Sequence, residues 1–527
     1  MTTGDQVLAD LCDLLGPERV MRDAQQCATY SEDIAGPASN TVIAVVKPGN
    51  TDQLAGAVEI ARSASVAVHP RGGGMSYTGG YAAVNDHAIA LDLSDLDRVV
   101  EIDHEARFVV VEAGCTWSGL YEALAEQGMR APFFGPLSGM MATIGGSLSQ
   151  NGAFFGSAAH GYAADQVLGL EIADGTGGLH RFGSWSTGRH PALPWHGPGM
   201  MKAFMGDCGA LGIKTKAVLP ILPVPPAPVF ASFAFDHDAA LLGALAAMRD
   251  LPHLSELWAF DREAHRTLAA TGFSVLESTQ MAAELAGGSS TLLGAAKNLV
   301  QASTLRRAVL KDLDWSLHMV IEPPLAELAS PVLEAVRRQI GARGGREIPD
   351  TIPRVTRARP FRPIRALIGP GGERWLPCHA VFPAAAAPEG LAALRALLRE
   401  RMKAMEGQGI RVTLLIAAVG NDLIIEPQLY WADSLSGFQR AHSPPAQVKP
   451  HDHAPARPEA RSLAFELRQA MSDVLTHAGG GQMQLGRYYA YRHGLEAGAR
   501  GVLDALKAQM DPDGILNPGV LGFPAVR

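Results

Sequence analysis

The feature that most constrains this chain is a set of three glycine-dense segments within its first 220 residues. They are residues 71–80 (RGGGMSYTGG), 135–152 (GPLSGMMATIGGSLSQNG) and 204–213 (FMGDCGALGI). Consecutive glycines let backbone N–H groups turn toward an anion with no Cβ atom in the way. The first segment alone is equally typical of a flexible turn. A loop as long as the second is usually functional, so the set predicts a ligand site built largely from backbone.

Short apolar runs and helical patterns alternate around these segments. Strands are predicted at Val42–Val46, Val66–Val68, Ile89–Leu93 and Phe108–Glu112, and helices at Leu54–Ala64, capped by Thr51, and at Trp117–Glu126. A Rossmann-type dinucleotide site would need a helix directly after the glycines, but the first segment leads to Tyr81 and another strand. The mixture predicts an α+β domain.

The length of 527 residues requires more than one domain. The proline-rich run Pro220–Pro226 is predicted to leave the first domain, which gives boundaries of 1–225, 226–460 and 461–527. The middle region is predicted to hold strands at Trp375–Phe382, Val412–Val419 and Leu423–Trp431, followed by a mobile surface excursion at Ser443–Pro458. The last region is helical.

Composition excludes several classes of function. A formal net charge of −8 disfavours a nucleic-acid partner. No apolar run approaches a membrane span, and Met1–Leu15 is typical of an amphipathic helix and not of a signal peptide. The five cysteines, odd in number and without a C-x-x-C pair, predict free thiols and a cytoplasmic location. His451 and His453 have ligand-like spacing but no third ligand nearby, so no metal is expected.

In this order and spacing, the three segments resemble the flavin-binding domain of the vanillyl-alcohol oxidase/p-cresol methylhydroxylase superfamily. The run Leu506–Gly519, which contains Leu516-Asn517-Pro518-Gly519, is close to that family's closing motif. The resemblance implies a two-part flavin-binding domain of the p-cresol methylhydroxylase type and an α+β cap domain over the substrate. It also implies FAD as the cofactor.

The resemblance further implies which residues contact the FAD. They are Arg71, Gly72, Gly73, Gly74, Met75, Ser76, Gly79 and Gly80 at the pyrophosphate; Pro136, Thr143, Gly145, Gly146, Ser149, Asn151 and Gly152 beside the ribityl chain and ring; Gly206, Gly209, Gly212 and Ile213 at the adenine; and Asn517. A Cβ at Gly73 would block the close backbone approach to the pyrophosphate. Berberine-bridge-type members carry a histidine in the first segment, where this chain has Met75, and His69 lies just before it. Non-covalent FAD is therefore expected.

Three groups of residues are candidates for the chemistry. Phenol-oxidising members of the superfamily have a Tyr-Arg pair that contacts the phenolate, and Tyr491-Arg492 matches it; the alternative is a surface cation beside core tyrosines. His379 is either a base over the substrate or a packed core histidine. Glu426, on an apolar strand, is either a site carboxylate or the structural partner of an arginine.

The overall pattern is most similar to the glycolate oxidase/D-lactate dehydrogenase branch, although that branch's histidine-rich strand and Glu-His-Gly turn are replaced by 417–422 and 483–486. The expected function is therefore oxidation of a D-lactate-like 2-hydroxy acid, with a non-oxygen acceptor such as a cytochrome or quinone. The alternatives are an oxidase or dehydrogenase of para-substituted phenols or phenylpropanoids, and a flavin-binding protein without redox turnover. A homodimer and a peripheral position at the inner membrane stay open.

Overall fold

The structure is a computed structural model that describes residues 3–36, 39–270, 313–364 and 367–525. Its strands are β1 Val20–Met21, β2 Ala44–Val46, β3 Ala67–Arg71, β4 Ala88–Asp92, β5 Val99–Asp103, β6 Phe108–Glu112, β7 Met129–Arg130, β8 Gly169–Ala173, β9 Leu179–Phe182, β10 Ile213–Pro220, β11 Leu222–Pro223, β12 Val229–Phe235, β13 Leu254–Asp261, β14 Trp315–Ile321, β15 Arg346–Ile348, β16 Glu373–Pro377, β17 Ala380–Pro383, β18 Arg411–Val419 and β19 Asp422–Ala432. Its α-helices are α1 Thr3–Leu15, α2 Ala24–Ser31, α3 Thr51–Ser63, α4 Trp117–Ala125, α5 Ile144–Gln150, α6 Ser157–His160, α7 Asp238–Met248, α8 Arg262–Ala270, α9 Ala329–Gly341, α10 Thr351–Ala358, α11 Ala387–Gln408, α12 Gly437–His442, α13 Pro445–Val448, α14 Pro458–His477 and α15 Ala497–Met510.

The N-terminal part of the molecule contains two larger sheets and a two-stranded sheet formed by β7 and β11. A four-stranded sheet has the order β1-β2-β4-β3, with β4 parallel to both β2 and β3, and a five-stranded antiparallel sheet has the order β5-β6-β10-β8-β9. The helix predicted at 54–64 begins earlier, and its cap is Asn50, whose side chain accepts the N–H of Gln53, where the sequence had suggested Thr51. The α+β class is confirmed.

The cap region is built on one large sheet with the order β15-β12-β14-β13-β18-β19-β16, to which β17 adds by pairing with β19. Apolar side chains of α7, α9, α11 and α14 share one hydrophobic core with this sheet. The predicted hairpin at 412–431 is present as β18 and β19. The N-terminal sheets end before the cap sheet begins at Val229, but the three domain boundaries stay a prediction.

Two sequence predictions in the cap need correction. The strand expected at 375–382 is two strands, interrupted at Cys378 and His379. The excursion expected at 443–458 contains helix α13 and is tied to the cap, since Gln447 donates to the carbonyl of Ile368 at 2.5 Å. Within the described ranges, no helix is long and apolar enough to cross a bilayer.

All five cysteines lie in described residues and are free thiols, and all except Cys12 are buried. We expect a thiol reagent to titrate five groups in denaturant without reductant, and to modify Cys12 first in the native protein. Recovery of fewer than five thiols from freshly prepared protein would contradict the absence of disulfides.

Candidate functional site

A single elongated cleft gathers all three glycine-dense segments. The space between its walls, which opens to solvent, is about 860 Å³. Its lining consists of Pro70, Arg71, Gly72, Gly73, Gly74, Met75, Ser76, Gly80, Tyr81, Leu93, Pro136, Ser138, Ala142, Thr143, Gly145, Gly146, Ser147, Ser149, Gln150, Gly152, Cys208, Gly209, Gly212, Ile213, Lys214 and Gln484. Residues 70–214 therefore form the walls, and Gln484 comes from the C-terminal region.

The glycines of the first segment are required by contact between the segments. A Cβ on Gly73 would overlap the backbone carbonyl of Met141, and one on Gly72 would overlap the hydroxyl of Thr143. A Cβ on Gly209 would lie 2.7 Å from Pro70. The second segment thus packs directly on Gly72 and Gly73, and Gly209 of the third segment packs on Pro70, which precedes the first.

Buried polar atoms along the cleft remain available for a ligand. The Arg71 guanidinium donates to the carbonyls of Thr29 and Glu32 and lies over the rings of Tyr30 and Tyr81, 4.5 and 4.9 Å from their centroids. Its Nη2, like Oε1 of Gln150, is buried and has no hydrogen-bond partner among the described residues. The positive charge of Arg71 beside the glycine loop fits the diphosphate of a cofactor. The unpartnered amide oxygen of Gln150 can accept a hydrogen bond from another part of the same molecule.

Most of the residues predicted to contact FAD line this cleft; the exceptions are Gly79, Asn151, Gly206 and Asn517. Asn517 is fully buried, and its side chain is used entirely within the protein. Its amide donates to the carbonyls of Gly80 and Cys208, while its Oδ1 lies 2.9 Å from Nδ1 of His69 and accepts from Arg487 at 3.0 Å. Asn517 therefore joins the first and third segments through hydrogen bonds.

We call Asn517 and the groups hydrogen-bonded to it the clasp. Arg487 is also part of it, which was not predicted from the sequence. It donates to the carbonyls of Gly79, Ala82 and Pro518 as well as to Asn517. Burial lowers its pKa to about 10. The only sequence signal was its place in the Gly-Arg-Tyr-Tyr run at 486–489, which did not distinguish it from Arg492.

Comparison with known proteins agrees with this geometry. Residues 42–183 match the FAD binding domain family. This stretch is an FAD-binding domain. Among curated relatives, the glycolate oxidase subunit GlcD of Bacillus subtilis is 28% identical over 225 residues, which is 43% of this chain and 46% of that protein. The D-lactate dehydrogenase of Archaeoglobus fulgidus is 27% identical over 191 residues, 36% of this chain and 41% of that protein.

The solved structures extend the likeness of fold beyond the FAD-binding domain. p-Cresol methylhydroxylase has a TM-score of 0.72 at 18% identity, covering 99% of this chain and 97% of its own. The 4-ethylphenol oxidase of Gulosibacter chungangensis has a TM-score of 0.67 at 15% identity, covering 99% and 98%. The chain therefore has the same fold as these two proteins. The curated matches, however, span less than half of the relatives' own length.

A cluster of polar groups around His379 adjoins the cleft through Gln484, which lines it, and through Tyr77, which follows Ser76. Nε2 of His379 accepts the backbone N–H groups of Met483 and Gln484 at 3.2 and 3.3 Å, and the backbone N–H of His379 donates to the Tyr489 hydroxyl at 2.8 Å. Burial, with the nearby positive charge of Arg468, lowers its pKa to about 3.

His379 is therefore neutral, and its accepting nitrogen is already occupied. The packed alternative of the sequence analysis fits this arrangement, and a role as base does not. Its contribution is to hold the turn at 483–484, and with it Gln484, against the cleft.

Glu426, on β19, belongs to the same cluster. Its Oε1 accepts from Gln428 at 2.6 Å, and the Tyr77 hydroxyl also stabilises the carboxylate. Tyr77 directly follows Ser76 of the cleft wall, and its hydroxyl lies 3.4 Å from Nδ1 of His379. Burial outweighs the two hydrogen bonds and raises the pKa of Glu426 to about 7. Among the described residues, no arginine forms an ion pair with Glu426. The alternative that Glu426 is the structural partner of an arginine is therefore not supported.

Tyr491 and Arg492 lie elsewhere. Arg492 forms a two-point ion pair with Asp504 of α15 at 2.6 and 2.7 Å and lies over the ring of Phe523. Tyr491 is 36% exposed, and neither residue lines the cleft. The expected anion-binding pair is thus corrected to a surface ion pair that joins the C-terminal helix to the preceding turn, because Asp504 already occupies the guanidinium fork.

We expect Arg492→Ala to leave both the flavin content and the rate of flavin reduction unchanged, because an exposed ion pair with Asp504 contributes little. Anaerobic stopped-flow reduction with the true substrate measures this. A large loss of rate at normal flavin content would show instead that Arg492 contributes to the reaction.

Proposed function

We propose that this chain is an FAD-dependent oxidoreductase that takes a hydride from a small hydroxylated substrate, a D-lactate-like 2-hydroxy acid, and passes the electrons to a non-oxygen acceptor such as a cytochrome or quinone. The observation that carries the proposal is the glycine-lined cleft together with an ionisable carboxyl, Glu426, which is hydrogen-bonded to Tyr77, the residue that follows Ser76 of the cleft wall. Relatives named glycolate oxidase subunit and D-lactate dehydrogenase support the substrate class.

In this proposal, different residues of the chain bind the cofactor and accept the proton. Arg71 and the glycines of the first segment would hold the diphosphate of bound FAD, and Thr143, Gly146 and Gln150 would contact the middle of the cofactor. When bound, the flavin supplies the hydride acceptor. Glu426, ionised above pH 7, takes the proton from the substrate hydroxyl as the C–H bond breaks, so that the alcohol becomes a carbonyl.

The phenol-oxidising alternative depended on Tyr491 and Arg492 binding a phenolate. With the guanidinium of Arg492 held by Asp504, that argument is lost. The chain shares its fold with p-cresol methylhydroxylase and 4-ethylphenol oxidase, but at identities of 18% and 15% this is evidence for the fold alone and not for a phenolic substrate.

A substrate panel tests the proposal. D-lactate, glycolate, D-2-hydroxyglutarate, L-lactate and a 4-alkylphenol are each mixed anaerobically with the yellow protein, and bleaching of the flavin is followed. We expect a D-2-hydroxy acid to bleach it and L-lactate to leave it oxidised. Bleaching by the phenol alone would favour the alternative. If no donor bleaches the flavin, a binding protein without turnover is favoured.

The mode of attachment is tested in the same preparation. The residue within the first segment where a histidyl link would form is Met75, and the nearby His69 is buried against Asn517. We therefore expect acid precipitation to release FAD into the supernatant. Flavin that stays with the pellet would show a covalent bond.

A further inference from the structure

An exposed apolar tip lies between β9 and the third glycine-dense segment. Leu193, Trp195 and Met200 expose 51%, 68% and 62% of their surfaces, and every residue from 193 to 200 is exposed. Isolated exposed apolar side chains are ordinary, but here three large ones lie within eight residues of a single loop. We call residues 193–200 the Trp195 tip.

The base of this tip is firmly built. Trp185 and Ala192 pack on the outer face of the five-stranded sheet against Phe108, whose ring also contacts His190 edge-on at 5.2 Å. The buried hydroxyl of Ser184 lies 2.7 Å from the carbonyl of His190. Apolar residues of the segment that can reach the sheet are therefore packed on it, and those of the tip are held away from it.

The charge around the tip differs from that of the chain as a whole. Residues 183–206 contain Arg189 and Lys202 but no Asp or Glu, in a protein with a net charge of −8. Lys202 is paired with Asp165 at 3.4 Å. Arg189 donates to the hydroxyl of Thr187 and has no ion pair with a carboxylate in the described part of the chain. A single unneutralised cation thus borders the apolar tip.

We propose that the Trp195 tip inserts into the interface of a lipid bilayer that contains anionic lipids. Tryptophan beside leucine is the combination that settles at the boundary of headgroups and acyl chains, and Arg189 faces the lipid phosphates. The alternative, a protein partner, fits less well. Three partly exposed side chains offer on the order of 300–400 Å², against roughly 800 Å² per partner in a stable protein interface.

Vesicle co-sedimentation of the full flavin-loaded protein tests this. We expect the wild type to sediment with vesicles of phosphatidylcholine mixed with phosphatidylglycerol. Trp195→Ser and Leu193→Ser should each weaken binding by more than about tenfold, because each removes a large apolar anchor. Arg189→Gln should weaken it about fivefold on the mixed vesicles and leave binding to pure phosphatidylcholine unchanged.

Val502→Ser is the matched control, since Val502 is 72% exposed on α15, outside the tip. It should bind as the wild type does, and all variants should keep their flavin. Failure of the wild type to sediment, or an equal loss in Val502→Ser, would overturn the proposal. So would conversion of a dimer to a monomer by Trp195→Ser in lipid-free light scattering, because the tip would then bind a second copy. Binding is measured without substrate, so its failure is separate from failure of the proposed activity.

Discussion

Gly73→Ala is expected to yield a folded protein that purifies without its yellow colour. The added Cβ would overlap the backbone carbonyl of Met141, and a backbone oxygen cannot rotate out of the way as a side chain can. The first and second glycine-dense segments would have to separate, which widens the cleft where the diphosphate is held. Overpacking of this kind costs up to about 3 kcal/mol, so FAD should bind roughly 100-fold more weakly.

Two glycines provide controls for this experiment. A Cβ on Gly501, in α15, meets nothing within 4 Å, so Gly501→Ala should keep its flavin. A Cβ on Gly146 lies 3.0 Å from the Thr143 hydroxyl, which can move, so Gly146→Ala should lose less affinity than Gly73→Ala. Fluorimetric titration of FAD into each apoprotein measures the series. Normal affinity in Gly73→Ala would mean that the segments are not held together at this point.

The structure gives a second reason for glycine at position 73. From the sequence, a Cβ was expected to keep the backbone away from the pyrophosphate, whereas in the structure it would meet Met141 of the second segment. Local pattern can predict that glycine is needed, because a glycine run has few other uses. It cannot predict which neighbour requires the glycine, because residues 73 and 141 are brought together only by the fold.

The same limit explains the errors in the cap. The hairpin of β18 and β19 was predictable, since two apolar runs flank Gly420-Asn421-Asp422. The break between β16 and β17 was not, because it places His379 against Met483 and Gln484, more than 100 residues later. Glu426 stood out from the sequence as a carboxylate on an apolar strand, but its neighbour Tyr77 comes from the first glycine-dense segment.

Arg487 and Arg492 show that the sequence does not separate a buried arginine from an exposed one. Tyr491-Arg492 matched a family pattern by its distance from the closing motif, and Arg487, five positions earlier, did not. In the structure Arg487 is buried in the clasp with Asn517, and Arg492 is bound to Asp504. Burial separates the two, and the sequence around them carries no periodic pattern that would have predicted it.

Glu426→Gln is expected to retain FAD and to lose the pH dependence of flavin reduction. The pKa of Glu426 is raised to about 7, so in the wild type the rate should rise with pH through 7 as the carboxyl becomes an available base. Its neighbours do not titrate there: the pKa of His379 is lowered to about 3, and burial raises that of Tyr77 well above its ordinary value. Removing a general base typically costs 10²–10⁴-fold in rate, and we expect a loss of roughly that size at pH 8.

A second readout separates catalysis from stability. Because the folded-state pKa of Glu426 lies above its ordinary value of 4.5, the folded protein binds this proton more tightly than the unfolded chain, and stability falls as pH rises from about 4.5 to 7. Glu426→Gln should therefore melt at a higher temperature than the wild type at pH 8 and at a similar one below pH 4.5. Glu373→Gln is the matched control: Glu373 is a cap-sheet carboxylate paired with Arg411, which, with its hydrogen bonds, keeps its pKa low. That variant should keep the rise in rate near pH 7, and the same rise in Glu426→Gln would assign the proton transfer to another group.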